Sequence, residues 1–291
     1  MSEHPPLRIG TLGAARIAPR ALVKPARELA GTSVVAVAAR DEARARKFAA
    51  RHGIPRVHAS YDALISDPEI DAVYNPLPNA LHCEWTLRAL KAGKHVLCEK
   101  PLASNAEEAE RMAQAAHETG RVLVEAFHHL YHPLAARMKA IVDSGRLGAV
   151  RHLEAELCAP YFVPGDIRYR HDLAGGATMD MGCYPISLVR FLAGAEPEVV
   201  SAEARLSSPQ VDRYMDARLR FPDGRTGRIR ASLCSTRLLA IGARVRGDEG
   251  ELRVLNPVMP HFYHRLVVRD RSGTTRERVP GDASYTHQLR A

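Results

Sequence analysis

The sequence has no apolar run approaching the roughly 18 residues of a membrane-spanning helix, and its start, MSEHPPLRIG, has no basic region leading into an apolar stretch. The expectation is a cytoplasmic chain without membrane anchor or secretory signal. No C-x-x-C pair occurs, and the five cysteines, Cys83, Cys98, Cys158, Cys183 and Cys234, are odd in number and widely spaced. That excludes a zinc ribbon and a disulfide framework and predicts reduced thiols. There is no block of five or more like charges, since 33 acidic residues are interleaved with 41 basic ones. The net charge of +8 therefore reads as a solvated surface able to attract an anionic cofactor, not as a nucleic-acid stripe. Internal repeats and low-complexity linkers are absent too.

What is present is 291 residues with 46% hydrophobic content, enough for two domains with a core each. In the first part, strand-like runs at Leu7 to Leu12, Ser33 to Ala39, Ile70 to Tyr74, His95 to Glu99 and Arg121 to Ala126 alternate with helical patterns over 16–30, 41–53, 79–93 and 104–120. Asp41, Asn79 and Ser104 stand at N-cap positions, and Gly31, Gly53, Gly93 and Gly120 close the helices. Such alternation predicts βαβ units, hence an α/β Rossmann domain over residues 1–126 with a doubly wound parallel sheet covered on both faces. Beyond about residue 147 the period changes to two, with Pro-Asp-Gly and Gly-Asp-Glu-Gly turns. An α+β domain over 127–291 with a mainly antiparallel open sheet follows, interrupted by a helix after Gly175-Gly176. One face of that sheet would be left for a second subunit, predicting a homodimer.

The turn after the first strand, RIGTLGAARIAP, reads Gly13-x-Ala15-x-x-Ala18. Gly13 suits the turn, whereas Ala15 occupies the position where glycine normally admits a pyrophosphate, so an ordinary strand-turn-helix stays open. Where the second strand ends, an acidic residue would bind ribose hydroxyls; this chain has Arg40, with Asp41 suited to capping. The planar fork of Arg40 fits a 2′-phosphate and predicts NADP over NAD, against stacking on adenine or facing water.

Further on, HVLCEKPLA ends a strand with Glu99-Lys100-Pro101. Pro101 keeps Lys100 extended or, with a cis bond, sharply turned, and the carboxyl end of a parallel strand is where ligands bind. A surface lysine paired with Glu99 is the alternative. Asp180 and Tyr184 stand four apart in GGATMDMGCYPISLVR, on one face of a helix. Glu125, His128, His129 and His132 in EAFHHLYHP have metal-like spacing, but no second ligand cluster accompanies them, and no metal is expected.

The stretch VYNPLPNALHCEWTLRALKAGKHVLCEKPLA, together with the Asp180–Tyr184 segment, resembles the Gfo/Idh/MocA oxidoreductase family, in particular the branch with dimeric dihydrodiol dehydrogenase, D-xylose dehydrogenase and glucose-fructose oxidoreductase. The resemblance implies an NAD(P)-dependent enzyme moving hydride between nicotinamide and a CH–OH or C=O group of a sugar, cyclic polyol or trans-dihydrodiol. It implies that Tyr184 is the acid/base, that Lys100 lowers its pKa and touches the reacting oxygen, and that Asp180 orients substrate hydroxyls. Gly13, Ala15, Arg16, Ile17, Arg40, Leu77, Pro78, His82, Glu99 and Lys100 would bind the cofactor, and Arg168, Asp180 and Tyr184 the substrate. An aldose-aldose oxidoreductase with tightly bound NADP and a non-catalytic dinucleotide sensor remain alternatives. Where the family usually reads EAFMYRxHP, this chain reads EAFHHLYHP, and its end, DASYTHQLRA, looks like the start of a helix that continues in relatives, so a truncated C-terminus is expected.

Overall fold

The computed structural model describes residues 5–161, 163, 165–235 and 239–291, so the first four residues of the start quoted above lie outside it. The chain forms two units, Met1–Phe127 with Tyr285–Ala291, and His128–Ser284.

In the first unit, β1 (Leu7–Leu12), β2 (Thr32–Ala38), β3 (Arg56–His58), β4 (Ala72–Asn75), β5 (His95–Cys98) and β6 (Leu123–Glu125) form a parallel sheet in the order β3-β2-β1-β4-β5-β6. The order reverses between β1 and β4, which creates the crevice where doubly wound sheets bind ligands. The sequence β3 and the short helix α3 (Tyr61–Ile65), capped by Ser60, were not among the expected elements. The other helices are α1 (Lys24–Glu28), entered through a π turn at Pro19–Val23, α2 (Glu42–His52), α4 (His82–Lys91) and α5 (Ala106–Thr119). Leu12, Val73, Leu90 and Met112 belong to one apolar cluster; Ile9, Leu22, Tyr74 and Tyr285 belong to another. Burial of each such side chain contributes about 1.5–3 kcal/mol.

Helix ends follow local chemistry. Asp41 caps α2 by accepting from the Arg44 amide at 3.1 Å, and Gly53 ends it in the left-handed region. Two expected caps are displaced. A 3-10 turn, Asn79–Leu81, precedes α4, so Asn79 lies inside the tighter turn. At α5 the cap is Asn105, not Ser104; its side chain accepts from the Glu108 amide at 2.9 Å while Glu108 accepts from the Ser104 amide at 3.0 Å.

The second unit is built on β7 (Val150–Cys158), β8 (Glu198–Ser208), β9 (Val211–Arg220), β10 (Thr226–Ser232), β11 (Ala240–Gly247), β12 (Glu251–Leu255), β13 (Arg265–Asp270) and β14 (Gly273–Glu277). Their order is β14-β13-β12-β11-β7-β10-β9-β8. All neighbours are antiparallel except β7 and β10, which run parallel, so the sheet is mixed. Helices α6 (Pro133–Asp143) and α7 (Cys183–Ala193) supply Leu134, Met138, Leu188 and Leu192 to the core that buries Leu153, Ala155 and Leu157 of β7. Alternation sends Glu154 and Glu156 to the opposite face. There Glu156 pairs with Arg230 at 2.8 Å, and Glu154 lies 3.5 Å from Arg244.

The chain leaves the first unit after Phe127 and returns at Tyr285, in helix α8 (Ser284–Arg290). The second unit therefore stops short of the expected limit at residue 291, because Tyr285, only 3% exposed, fills the cluster of Ile9, Leu22 and Tyr74. Thr286 adds a hydrogen bond to Glu28 at 3.0 Å. Among the described residues no helix is long and apolar enough to cross a membrane, and none of the five cysteines forms a disulfide.

Candidate active site

In the first unit the turn after β1 depends on Gly13. Its φ is +81°, its amide donates to the Ala38 carbonyl at 2.6 Å, and a Cβ there would stand 3.2 Å from Leu77. A side chain in this left-handed conformation is strained, so glycine is required by the backbone. Beyond the turn lies a cavity of about 420 Å³ lined by Ala14, Ala15, Arg16, Arg44, Lys47 and Arg51, among others. Arg44, Lys47 and Arg51 recur at helical spacing along α2, and the Arg44 guanidinium donates to the Ala14 carbonyl at 3.0 Å. Sequence reading singled out Arg16 alone of these cations; the spacing 44, 47, 51 was the available signal. Arg40 is exposed at the end of β2 and is not among the cavity's lining residues. A turn of this kind beside clustered cations fits the phosphates of a dinucleotide.

The lysine-bearing loop after β5 is fastened at several points. The Leu102 amide donates to Glu125 at 2.8 Å, and both ring nitrogens of His82 lie 2.8 Å from carbonyl oxygens, those of Leu77 and Pro101. His82 is fully buried. Burial pushes its pKa down while the two carbonyls pull it back, and the net direction is downward. His82 thus joins the loops that carry Leu77 and Pro101. Asn75, also fully buried, reinforces this end of β4 by donating to the His82 carbonyl at 3.2 Å and to Thr86 at 3.1 Å.

Glu99 accepts from the Tyr74 hydroxyl at 2.6 Å and from the Lys100 amide at 3.3 Å. Burial first, then the charge of Glu99, raises the Tyr74 pKa well above its ordinary value, so Tyr74 is a permanent donor that orients the carboxylate. The Lys100–Pro101 peptide is cis, the turned alternative of the two that the proline allows. Tyr285 is pushed up to about 12 by burial and by Glu99, with Arg20 and Lys100 opposing.

In the second unit Asp180 sits on a π turn, Thr178–Gly182, that leads into α7. Its carboxylate accepts from Arg168 Nε at 2.6 Å, while Arg168 also reaches Asp166 at 3.0 Å and lies 4.3 Å from the Tyr161 ring centroid. Burial would lower the Arg168 pKa; the charge and hydrogen bond of Asp180 outweigh it, and the guanidinium stays protonated. Arg168 and Asp180 are thereby brought together, a pairing that sequence spacing did not reveal.

Tyr184, one turn beyond Asp180 and at the start of α7, is half-buried against the HHL segment. Its hydroxyl is 3.5 Å from His128 Nε2, and its ring centroid is 5.3 Å from that of His129. The residues of the metal-like motif have separate tasks. Glu125 holds the lysine loop, His132 Nδ1 accepts from the Leu134 amide at 3.1 Å to cap α6, and His129 bonds Ser187 at 3.2 Å. His129 is fully enclosed, and burial pushes its pKa down to about 3, so its ring is neutral.

Residues 7–127 match an oxidoreductase family with an NAD-binding Rossmann fold, and residues 135–253 match the GFO/IDH/MocA C-terminal domain. A dTDP-3,4-didehydro-2,6-dideoxy-alpha-D-glucose 3-reductase of Streptomyces violaceoruber is 40% identical over 94% of this chain and 80% of its own length. A D-xylose 1-dehydrogenase (NADP(+)) of Haloferax volcanii is 38% identical over 78% of this chain and 69% of its own. A 3-ketoreductase from Actinomadura kijaniata, solved with NADP and TDP-benzene, superposes with a TM-score of 0.91 at 33% identity, covering 98% of this chain and 88% of that one. With a parallel nucleotide-binding unit, a mixed-sheet second unit and matches along most of its length, the chain belongs to the GFO/IDH/MocA oxidoreductase family.

Proposed function

We propose that the protein is an NADP-preferring dehydrogenase or reductase acting on a CH–OH or C=O carbon of a sugar, free or nucleotide-linked. The observation that carries this reading is the fastened Lys100 loop, held by Glu125 and His82 in the unit that also bears the Gly13 turn and its cationic cavity. Bound NADP would supply or accept the hydride. The cations Arg16, Arg44, Lys47 and Arg51 would hold its phosphates, with Arg40 at the adenosine end, and Leu77, Pro78 and Ile17 would border it.

Tyr184 exchanges the proton of the substrate oxygen, and Lys100 stabilises the developing alkoxide and favours the phenolate of Tyr184. Asp180, kept ionised by Arg168, accepts hydrogen bonds from neighbouring hydroxyls of the substrate. The sugar class is supported by the xylose dehydrogenase and the dTDP-sugar reductase to which the chain is similar.

The open sheet face, where Arg244 pairs with Glu154 and Glu251, offers both charge signs and is the proposed seat of a second copy in a homodimer. Thiols not engaged in disulfides suit the cytoplasm. The decisive experiment is a spectrophotometric screen of aldoses, inositols and trans-dihydrodiols with NADP and NAD, repeated with Lys100→Ala. Turnover should fall by two or more orders of magnitude in the variant; wild-type turnover would sink the assignment of Lys100.

A further inference from the structure

Tyr184 is the outer end of a line of polar groups that lies wholly within the second unit. Its hydroxyl is 3.5 Å from His128 Nε2, His128 Nδ1 is 2.8 Å from Ser284 Oγ, and Ser284 Oγ is 3.0 Å from His261 Nδ1. The middle of the line is dry, with Ser284 fully buried and His128 only 2% exposed. His261 is half-buried and adjoins the exposed Phe262 and Tyr263.

One backbone group fixes the direction of the inner hydrogen bonds of the line. The Ser284 amide donates to His261 Nδ1 at 3.4 Å, and an amide can only donate, so His261 Nδ1 carries a lone pair. The Ser284 hydroxyl then donates to the same nitrogen, and its oxygen is left to accept from His128 Nδ1–H. A neutral His128 with its proton on Nδ1 presents a lone pair at Nε2, where the Tyr184 hydroxyl donates. All links point outward from Tyr184.

We propose that Tyr184, His128, Ser284 and His261 form a proton relay that connects the phenol of Tyr184 with solvent. This rests on the reading of Tyr184 as the acid/base. In the oxidative direction the substrate hydroxyl proton goes to the Tyr184 oxygen, and the carbon-bound hydrogen leaves as hydride to the nicotinamide. The phenolic proton passes to His128 Nε2, the Nδ1 proton of His128 to Ser284 Oγ, and the Ser284 hydroxyl proton to His261 Nδ1. The Nε2 proton of His261 then leaves to water, so one proton enters and one departs. Reduction runs the same transfers backwards. The 3.5 Å first link is the loosest, and such links shorten when substrate closes a site. His129, whose ring also packs against Tyr184, is kept neutral by its burial and takes no part.

The relay acts through Tyr184, so His128, Ser284 and His261 are positioning and proton-carrying residues. Nitrogen-15 NMR of the histidine rings tests the line without any substrate. At neutral pH His128 should hold its proton on Nδ1 and His261 on Nε2; the reverse tautomer at either ring overturns the relay. Kinetics with D-xylose and NADP as probes test its use. Ser284→Ala should lower kcat about 10-fold, shift the pH profile and alter the solvent deuterium isotope effect, with Ser284→Thr restoring all three and added imidazole rescuing His128→Ala. If Tyr184→Phe is inactive while Ser284→Ala keeps the wild-type pH profile and isotope effect, the relay is wrong. If Tyr184→Phe retains turnover, it is the acid/base reading of Tyr184 that fails. Should D-xylose not be turned over, the tautomers alone decide.

Discussion

His129 should make the second unit acid-sensitive by an amount that can be worked out. Its folded pKa of about 3 lies below the ordinary 6.5, because the enclosed ring cannot be charged without losing hydration. The folded protein therefore binds fewer protons than the unfolded chain between those values. Stability from this group is complete above about pH 6.5 and falls as pH drops toward 3. From pH 7.5 to pH 5 the loss is about 2 kcal/mol by linkage. His129→Asn keeps an N–H donor for Ser187 and removes the titration. Urea unfolding followed by far-UV circular dichroism at the two pH values should show the variant losing about 2 kcal/mol less than wild type, with hydrogen exchange of α7 peptides as a local reading. Other histidines whose pKa is lowered, His52, His82 and His152, act in the same direction and cancel in the comparison. Equal pH dependence in both proteins, within about 0.5 kcal/mol, would refute the argument that burial holds His129 neutral.

His82→Phe keeps the ring volume and removes the N–H donor and the polar contacts of the ring with the Leu77 and Pro101 carbonyls, so stability should fall by about 1–3 kcal/mol and kcat with it; an unchanged melting temperature and kcat would contradict the clamp. Gly13→Ala forces a side chain into the left-handed region beside Leu77, at about 1–2 kcal/mol, and should raise KM for NADP several-fold, measured at saturating substrate. Replacing Lys47 and Arg51 by alanine should weaken NADP binding about 10-fold and leave NAD binding nearly unaffected, by isothermal titration. Equal losses for the two cofactors would mean that the cavity does not read the 2′-phosphate.

Long or strongly periodic elements could be read from the sequence. Strands β1, β2 and β4 to β6 and helices α2, α4 and α5 announce themselves by apolar runs, capping side chains and closing glycines. Strand β3 is three residues, Arg56–His58, too short to show a period, and α3 is barely longer than a turn. Helix α6 has proper starting signals, Pro133 at its first turn and His132 as its cap, but the metal-like spacing of the same histidines masks them. The parallel β7–β10 pair was illegible for a physical reason: hairpin turns specify sequence neighbours, whereas this pairing joins strands separated by α7, β8 and β9. In the candidate site, Lys100 and Gly13 were visible through local backbone demands. The Arg168–Asp180 pair and the His128–Ser284 bond were not, since |i−j| is 12 in the first and 156 in the second.

The return of the chain at Tyr285 has a consequence for the order of biosynthesis. The side chains of Ile9, Leu22 and Tyr74 leave the ribosome early, while the tyrosine that covers them is separated from Phe127 by the whole stretch His128–Ser284. At roughly 5–20 residues per second that stretch takes on the order of ten seconds or more to translate. Throughout that interval the nucleotide-binding unit carries an apolar gap that Tyr285 and Leu289 fill. A nascent chain halted before Tyr285 would be a ready client for chaperones, and the emergence of Tyr285 is the event that completes this cluster of the first unit.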